Sequence, residues 1–383
     1  MSIINDVEII HLLALQNING IGPYTARNLI AYCGSVEAIF QKKASELEKI
    51  PSIGFKLARL VTQKNNLEKS EKEYRLLQSL GITVHPYFAE TYPNFLKNIP
   101  DAPILLYQKG PLNLNTRPSI AIVGTRKPTE YGKKQASFFA EYLASQGINI
   151  VSGLAYGIDS FAHMSTLKAN GTTTAVLAHG FSTIYPASHK SLAEQILGKG
   201  ALITEYSYHK KPKPMLFPER NRIIAGLCVA TIVVEAAVSG GALITAKLAN
   251  DYNREVYAIP GNLGIKTSEG CNQLIRKNLA RILTHPQEVI DDLEINGLLQ
   301  IPASTIKSPS AQEAANTSKI NLNELSLEEQ KIYRFLASCE NAHIDTLHEA
   351  LNLPIAHLAT LLLNLEFLEI VESLPGKKYR IKK

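Results

Sequence analysis

Ile120-Ala121-Ile122-Val123-Gly124-Thr125-Arg126 decides the fold class. Four apolar residues in a row, closed by a glycine, read as a short strand buried on both faces. Working outward, similar runs recur at Ile148-Asn149-Ile150-Val151, Thr174-Ala175-Val176-Leu177, Ala201-Leu202-Ile203-Thr204, Val229 to Val234 and Val256-Tyr257-Ala258-Ile259. Helices are predicted between them, over 131–145, 158–169, 189–198, 241–252 and 271–280. Strand and helix alternating in this way imply an α/β domain, a parallel sheet covered by helices on both faces.

Open α/β sheets bind ligands beyond the carboxyl ends of their strands. Gly124-Thr125-Arg126 follows the first run; the glycine lets the backbone approach a ligand, and Arg126 sits at the strand end. Ser152-Gly153-Leu154-Ala155-Tyr156-Gly157-Ile158-Asp159 follows the second, with His163 one turn into the next helix. Asp159 can cap that helix and pair with His163 at i, i+4, which favours a packed structural turn over catalysis. Phe217-Pro218-Glu219-Arg220-Asn221-Arg222 precedes the Val229 run and reads as a loop. Its two guanidiniums are planar forks of donors suited to phosphate oxygens. They suit structural ion pairs equally, and both readings stay open. Ser239-Gly240-Gly241-Ala242 opens another helix, where small residues and free amides make an anion site. These elements together suit a nucleotide or a nucleic-acid backbone. Few aromatics adjoin the motifs, so less base stacking is expected than in an OB-fold binder.

Signatures of catalysis are missing. Gly198-Lys199-Gly200 lacks the upstream glycine and the hydroxyl residue of a P-loop. Gly153 to Gly157 is not a dinucleotide fingerprint, and neither HExxH nor GxSxG occurs. Cys33, Cys228, Cys271 and Cys339 form no CxxC pair, so no zinc site is expected. No cofactor is implied. The first residues, MSIINDVEIIHLLALQ, carry acids and no lysine or arginine, unlike a secretory signal. No apolar run approaches the roughly 18 residues of a membrane span. A cytoplasmic protein is the expectation. The net charge of +6 permits a nucleic-acid partner without requiring one.

Residues 1–66 read as helical, and two segments echo each other. Asn19-Gly20-Ile21-Gly22 precedes Thr25-Ala26-Arg27, and Pro51-Ser52-Ile53-Gly54 precedes Leu57-Ala58-Arg59. This is a helix-hairpin-helix pattern, in which freed amides at a helix start can face a phosphate. Ser52 replaces a glycine in the second copy, so DNA contact and plain helical packing are equal readings. Residues 67–117 are mixed and lead into the sheet, which completes a domain over 67–293. Residues 294–324 lack aromatics and are rich in Ser, Ala, Thr and Asn, as a flexible linker would be. Residues 325–383 suggest a winged helix: helices near 326–338, 343–351 and 355–365, then a hairpin of Leu368 to Ser373 and Lys378 to Ile381. Its basic end (Lys377, Lys378, Arg380, Lys382, Lys383) is read as solvated charge rather than as a DNA-binding wing.

At this point the sheet region resembles the DNA processing protein A family, also called Smf. The resemblance covers about Ile120 to Leu279 and rests on IVGTRKPTEYG at 122–132, VSGLAYGID at 151–159, FPERNRIIAGL at 217–227, VVEAAVSGGALITAKLA at 233–249 and REVYAIPG at 254–261. It implies an extended Rossmann-like core between a helix-hairpin-helix (SAM-like) domain and a winged helix. It also implies a non-enzymatic homodimer that binds single-stranded DNA, protects DNA taken up in natural transformation and helps load the recombinase RecA. The candidate DNA-binding residues are Gly124, Thr125, Arg126, Gly153, Lys190, Arg220, Asn221, Arg222, Ser239, Gly240, Gly241 and Lys247, with Arg126 foremost. A more distant resemblance, to nucleotide phosphoribohydrolases of the LOG type, would align Ser239-Gly240-Gly241 with their glycine loop. That alignment puts Lys247 where their catalytic glutamate stands, and an ammonium cannot do a carboxylate's acid-base work.

Overall fold

The structure, a computed structural model, describes residues 5–63, 65–295, 297, 326–337, 341–351, 353–368, 370–374 and 377–381. The linker expected at 294–324 falls, from 298 onward, outside them. The chain divides into two compact units, Met1–Ile306 and Lys307–Lys383.

The first unit is built on nine strands: β1 Thr83–Pro86, β2 Leu105–Lys109, β3 Ser119–Val123, β4 Asn149–Ser152, β5 Thr173–Val176, β6 Ala201–Thr204, β7 Ala230–Val233, β8 Glu255–Ala258 and β9 Arg281–Ile282. Their order is β1-β2-β6-β5-β4-β3-β7-β8-β9. Strands β3 to β9 pair in parallel, and β1 and β2 join antiparallel at one edge. All six apolar runs are strands. Alternate side chains serve opposite faces. Ile120 and Ile122 pack with Phe139 and Leu143 of the helix Glu130–Ser145, whereas Ala121 and Val123 pack with Ile223, Ile224 and Ala246. Burying a Phe or Leu side chain completely contributes roughly 1.5–3 kcal/mol, so both layers hold the central strand in register.

Two helix expectations need correction. The stretch from Phe217 is not a loop: Leu216–Leu227 is a helix. Its proline at 218 falls in the first turn, where a missing N–H costs nothing. The buried Leu216, Arg220, Ile223, Ile224 and Leu227 recur at helical spacing on one face. The helix expected over 271–280 runs instead over Lys266–Arg276. Asn278 turns left-handed at φ 53° and releases the chain into β9.

The amino-terminal helices are Asp6–Gln16, Pro23–Cys33, Val36–Gln41, Ala44–Leu47, Phe55–Val61 and Asn65–Ser79. The last of them spans the expected boundary near 66. Leu12, Leu15, Leu29, Leu47 and Leu77 share one core with Leu105 and Tyr107 of β2, so this bundle is packed onto the sheet. The two hairpins match in geometry. Ile21 N donates to Ile18 O and Ile53 N to Ile50 O, both at 3.1 Å, and the next helix starts after Gly22 or Gly54. Gly20 has φ 94°; Ser52, its counterpart, holds φ 69° with a side chain present.

The second unit has helices Leu327–Ala337, Ile344–Leu351 and Ile355–Phe367 and strands β10 Ala342–His343, β11 Val371–Leu374 and β12 Lys378–Ile381, ordered β10-β12-β11. Ile332, Leu336, Leu347, Leu358, Leu362 and Leu365 form its core. This is a winged helix.

Candidate nucleic-acid interface

The chain order reverses at β3. From there it steps through β4, β5 and β6 to one side, then returns to continue through β7, β8 and β9 on the other. The loops after β3 and β7 therefore diverge at their carboxyl ends and leave a crevice, the usual ligand position in such a sheet. A cleft of about 600 Å³ occupies it. Gly124, Thr125 and Arg126 form one wall, and Gly240 and Gly241 the other. Arg220 and Asn221, on the helix Leu216–Leu227, line it as well.

The first wall is tightly fixed. Thr125 N donates to Glu235 O at 2.7 Å, and Ile158 N donates to Thr125 O at 3.2 Å. Thr129 caps the helix Glu130–Ser145, and its N–H and hydroxyl both donate to the buried Glu235 carboxylate, at 2.9 and 2.6 Å. Between these anchors Arg126 and Lys127 are exposed beside the cleft. The Arg126 guanidinium lies 5.3 Å from the centre of the Phe217 ring. On the second wall the helix Gly241–Asp251 starts without a side-chain cap. Leu243 N turns back to Gly240 O at 3.0 Å, whereas the amides of Gly241 and Ala242, at the open end of the helix, have no partner one turn earlier within it and can meet an anion.

The two arginines on the helix beginning at Leu216 are used differently. Arg220 is buried, and its Nη1 donates to Gly153 O at 2.8 Å and to Val176 O. Burial pushes its pKa down to about 10, against the opposing pull of Asp159. A side chain at Gly153 would put Cβ 2.5 Å from an Arg220 nitrogen, so that glycine is a packing requirement. Asp159 accepts from Gly153 N at 3.1 Å and Ala155 N at 3.3 Å. Burial raises its pKa, although Arg220 pulls the other way. Arg222 pairs with Glu205 and lies 3.8 Å from Asp101. It lines a second cleft, of about 730 Å³, together with Gly20, Gly22, Glu219 and Lys210.

The other candidates divide as follows. Ser239, Lys190 and Lys247 are exposed but are not among the residues lining the crevice. His163 does not pair with Asp159; it is buried, and its Nδ1 meets Thr173 Oγ1 at 2.6 Å. The aromatics at the crevice are few. Tyr185 and Phe217 line the cleft as a T-shaped pair with ring centres 5.6 Å apart, and Tyr156, after β4, and His189, after β5, form another pair at 5.0 Å. Sequence reading did not single out Lys127, Phe217 or Glu235. The Phe217-Pro218 step at a helix start was the available signal for Phe217; Glu235, one charge at the end of an apolar run, gave none.

Comparison with known proteins agrees with this architecture. Residues 83–294 match the family described as DNA recombination-mediator protein A. Residues 12–63 match a SAM-like helix-hairpin-helix tandem, and 314–377 the DprA winged helix domain. Protein Smf of Synechocystis sp. is 32% identical over 96% of this chain and 97% of its own length. The X-ray structure of DNA processing protein A from Streptococcus pneumoniae superposes with a TM-score of 0.65 at 31% identity, covering 76% of this chain and 98% of that one. DNA processing protein A from Helicobacter pylori, described for its single-stranded DNA binding mode, gives 0.51 at 29% identity over 56% of this chain and 96% of that one. With the sheet, the hairpin tandem and the winged helix all matched in one order, the chain belongs to the DNA processing protein A (DprA/Smf) family.

Proposed function

We propose that the crevice binds the backbone of single-stranded DNA, and that the protein is a recombination mediator. It protects incoming DNA and helps load RecA during natural transformation, acting as a cytoplasmic homodimer without catalysis. One observation carries the DNA reading: Arg126, exposed at the crevice, has an aromatic ring and no ion-pair partner among the described residues. Lys127 and the uncapped start of Gly241–Asp251 line the same crevice. Phosphates suit this arrangement, and Tyr185 and Phe217 add rings on which a base can stack. The rest of the reading follows from the family. No helix among the described residues is long and apolar enough to cross a membrane. The winged helix adds little to a duplex-binding surface, because its third helix, Ile355–Phe367, carries no lysine or arginine.

A hydrolase reading fits less well. Glu235 is buried and held by Thr129, and Lys247 occupies the aligned position on an exposed helical face.

The test is fluorescence anisotropy with a labelled single strand of about 30 nucleotides and its duplex, across a salt series. Preference for the single strand with a steep salt dependence is expected. Arg126→Ala should weaken binding by about one to two decades, the loss of one charge-assisted contact of about 1.5–3 kcal/mol, with an unchanged melting temperature. Equal affinity of the wild type for both DNAs, or none for either, would overturn the reading.

A further inference from the structure

A basic loop leads away from the crevice, and the sequence motifs do not include it. Between β6 and the helix Leu216–Leu227 the chain reads His209-Lys210-Lys211-Pro212-Lys213-Pro214. Lys210, Lys211 and Lys213 are exposed, and none has an acidic partner among the described residues. The loop is nonetheless anchored. Gly180 N donates to Lys210 O at 2.8 Å, Lys210 N to Ser207 O at 2.9 Å and Ser182 N to Tyr208 O at 3.0 Å. Tyr208 N donates to Glu73 on the helix Asn65–Ser79 at 3.0 Å. A fixed loop presents its charges at little entropic cost, unlike a free basic tail.

Its position gives those charges a direction. Pro214 and Phe217 line the crevice, whereas Lys210 lines the second cleft. The lysines thus span the ground between the two. The other side of the crevice offers nothing comparable. The segment after β8, Pro260-Gly261-Asn262-Leu263-Gly264-Ile265, has no charge and leaves Leu263 and Ile265 exposed; one exposed lysine, Lys266, follows it at the start of the next helix, with Glu269 in the same turn. The second cleft itself holds Glu205 and Glu219 opposite Arg222 and Lys210, so a polyanion gains least by going deeper.

Resting on the DNA reading above, we infer that the single strand leaves the crevice on the β6 side, its backbone phosphates lying on Lys210, Lys211 and Lys213. These contacts add length and salt sensitivity without reading sequence.

The experiment is a triple substitution, Lys210→Gln, Lys211→Gln and Lys213→Gln, in the full chain. Two oligothymidines are titrated, one of about 4 nucleotides to fill the crevice and one of about 30 to run beyond it. For the longer strand, the slope of log affinity against log salt should become shallower by about 2, at about 0.7 per lost phosphate contact. The short strand and the melting temperature should be unaffected. Substituting Lys97, Lys199 and Lys277 by Gln, exposed residues outside both the hairpin tandem and the crevice, removes equal charge elsewhere and should leave the slope nearly intact. A wild-type protein that binds neither strand would overturn the DNA reading and this inference together. Wild-type binding of the long strand with an unchanged slope in the triple variant would overturn only the exit route. An equal loss in the control variant would also overturn it, by exposing a general charge effect.

Discussion

Arg126 and the pair Arg220 and Arg222 are the same residue type at the same end of the sheet, yet the molecule uses them in opposite ways. The loop after β3 holds its backbone rigid through Glu235 and Thr129 and leaves the Arg126 side chain in solvent. The helix beginning at Leu216 buries Arg220 among carbonyls and ties Arg222 to Glu205. A guanidinium is equally able to clamp a phosphate or a carbonyl. Burial and local partners decide which it does, and a motif alone specifies neither.

The largest expected effect is on Arg220. Arg220→Ala leaves Gly153 O and Val176 O without their donor and removes the cation near buried Asp159. Breaking a buried charged arrangement of this kind costs about 3–5 kcal/mol. Urea unfolding should show that loss, and DNA binding should fall because the crevice floor collapses. If the variant unfolds like the wild type yet no longer binds DNA, the contrast with Arg126 is broken, and Arg220 is a ligand contact after all.

Arg222 gives a smaller effect with a pH signature. Burial holds the Glu205 carboxyl above its ordinary range, with Arg222 as the counterweight. Removing that counterweight in Arg222→Ala raises the folded-state pKa further. A group whose folded pKa lies above its unfolded value favours folding only where it is protonated, so its penalty grows as pH rises through that window. The variant should therefore lose less than the roughly 3–5 kcal/mol of a fully buried pair near neutral pH, because both side chains keep some exposure, and less of that difference should remain as pH falls toward about 4–5. Unfolding curves for both proteins across that range are the check. A pH-independent difference would mean that Glu205 finds another partner.

Much of this was legible from sequence, for physical reasons that also explain the failures. A strand buried on both faces has to be apolar at every position, so Ile120–Val123 and its five counterparts stood out. Strand order depends on which neighbours pair across long stretches of chain, and nothing local encodes it; the crevice between β3 and β7 was therefore unreadable. The residues around Arg220 read as a loop in sequence because charge and a proline favour exposure. The apolar positions at 216, 223, 224 and 227 already had helical spacing, and only the buried arginine among them was unexpected. Glu235 was missed because its partners, Thr129 and Thr267, lie 106 and 32 residues away.

The smallest effects sharpen the contrast from the other side. Lys190 and Lys247 share Arg126's exposure but lie outside the crevice lining. Lys190 begins the helix Lys190–Ile196, and Lys247 sits two turns into Gly241–Asp251, beyond the free amides at its start. If exposure alone made a cation a DNA ligand, Lys190→Gln and Lys247→Gln would each cost as much as Arg126→Ala. If position at the crevice is also required, each lysine contributes only long-range attraction, which salt screens within about 10 Å at 0.1 M. Anisotropy near 0.1 M salt should then show less than about a threefold change for either variant, equivalent to under about 0.7 kcal/mol. A tenfold loss for Lys247 would extend the interface along Gly241–Asp251, and exposure would replace crevice position as the deciding property.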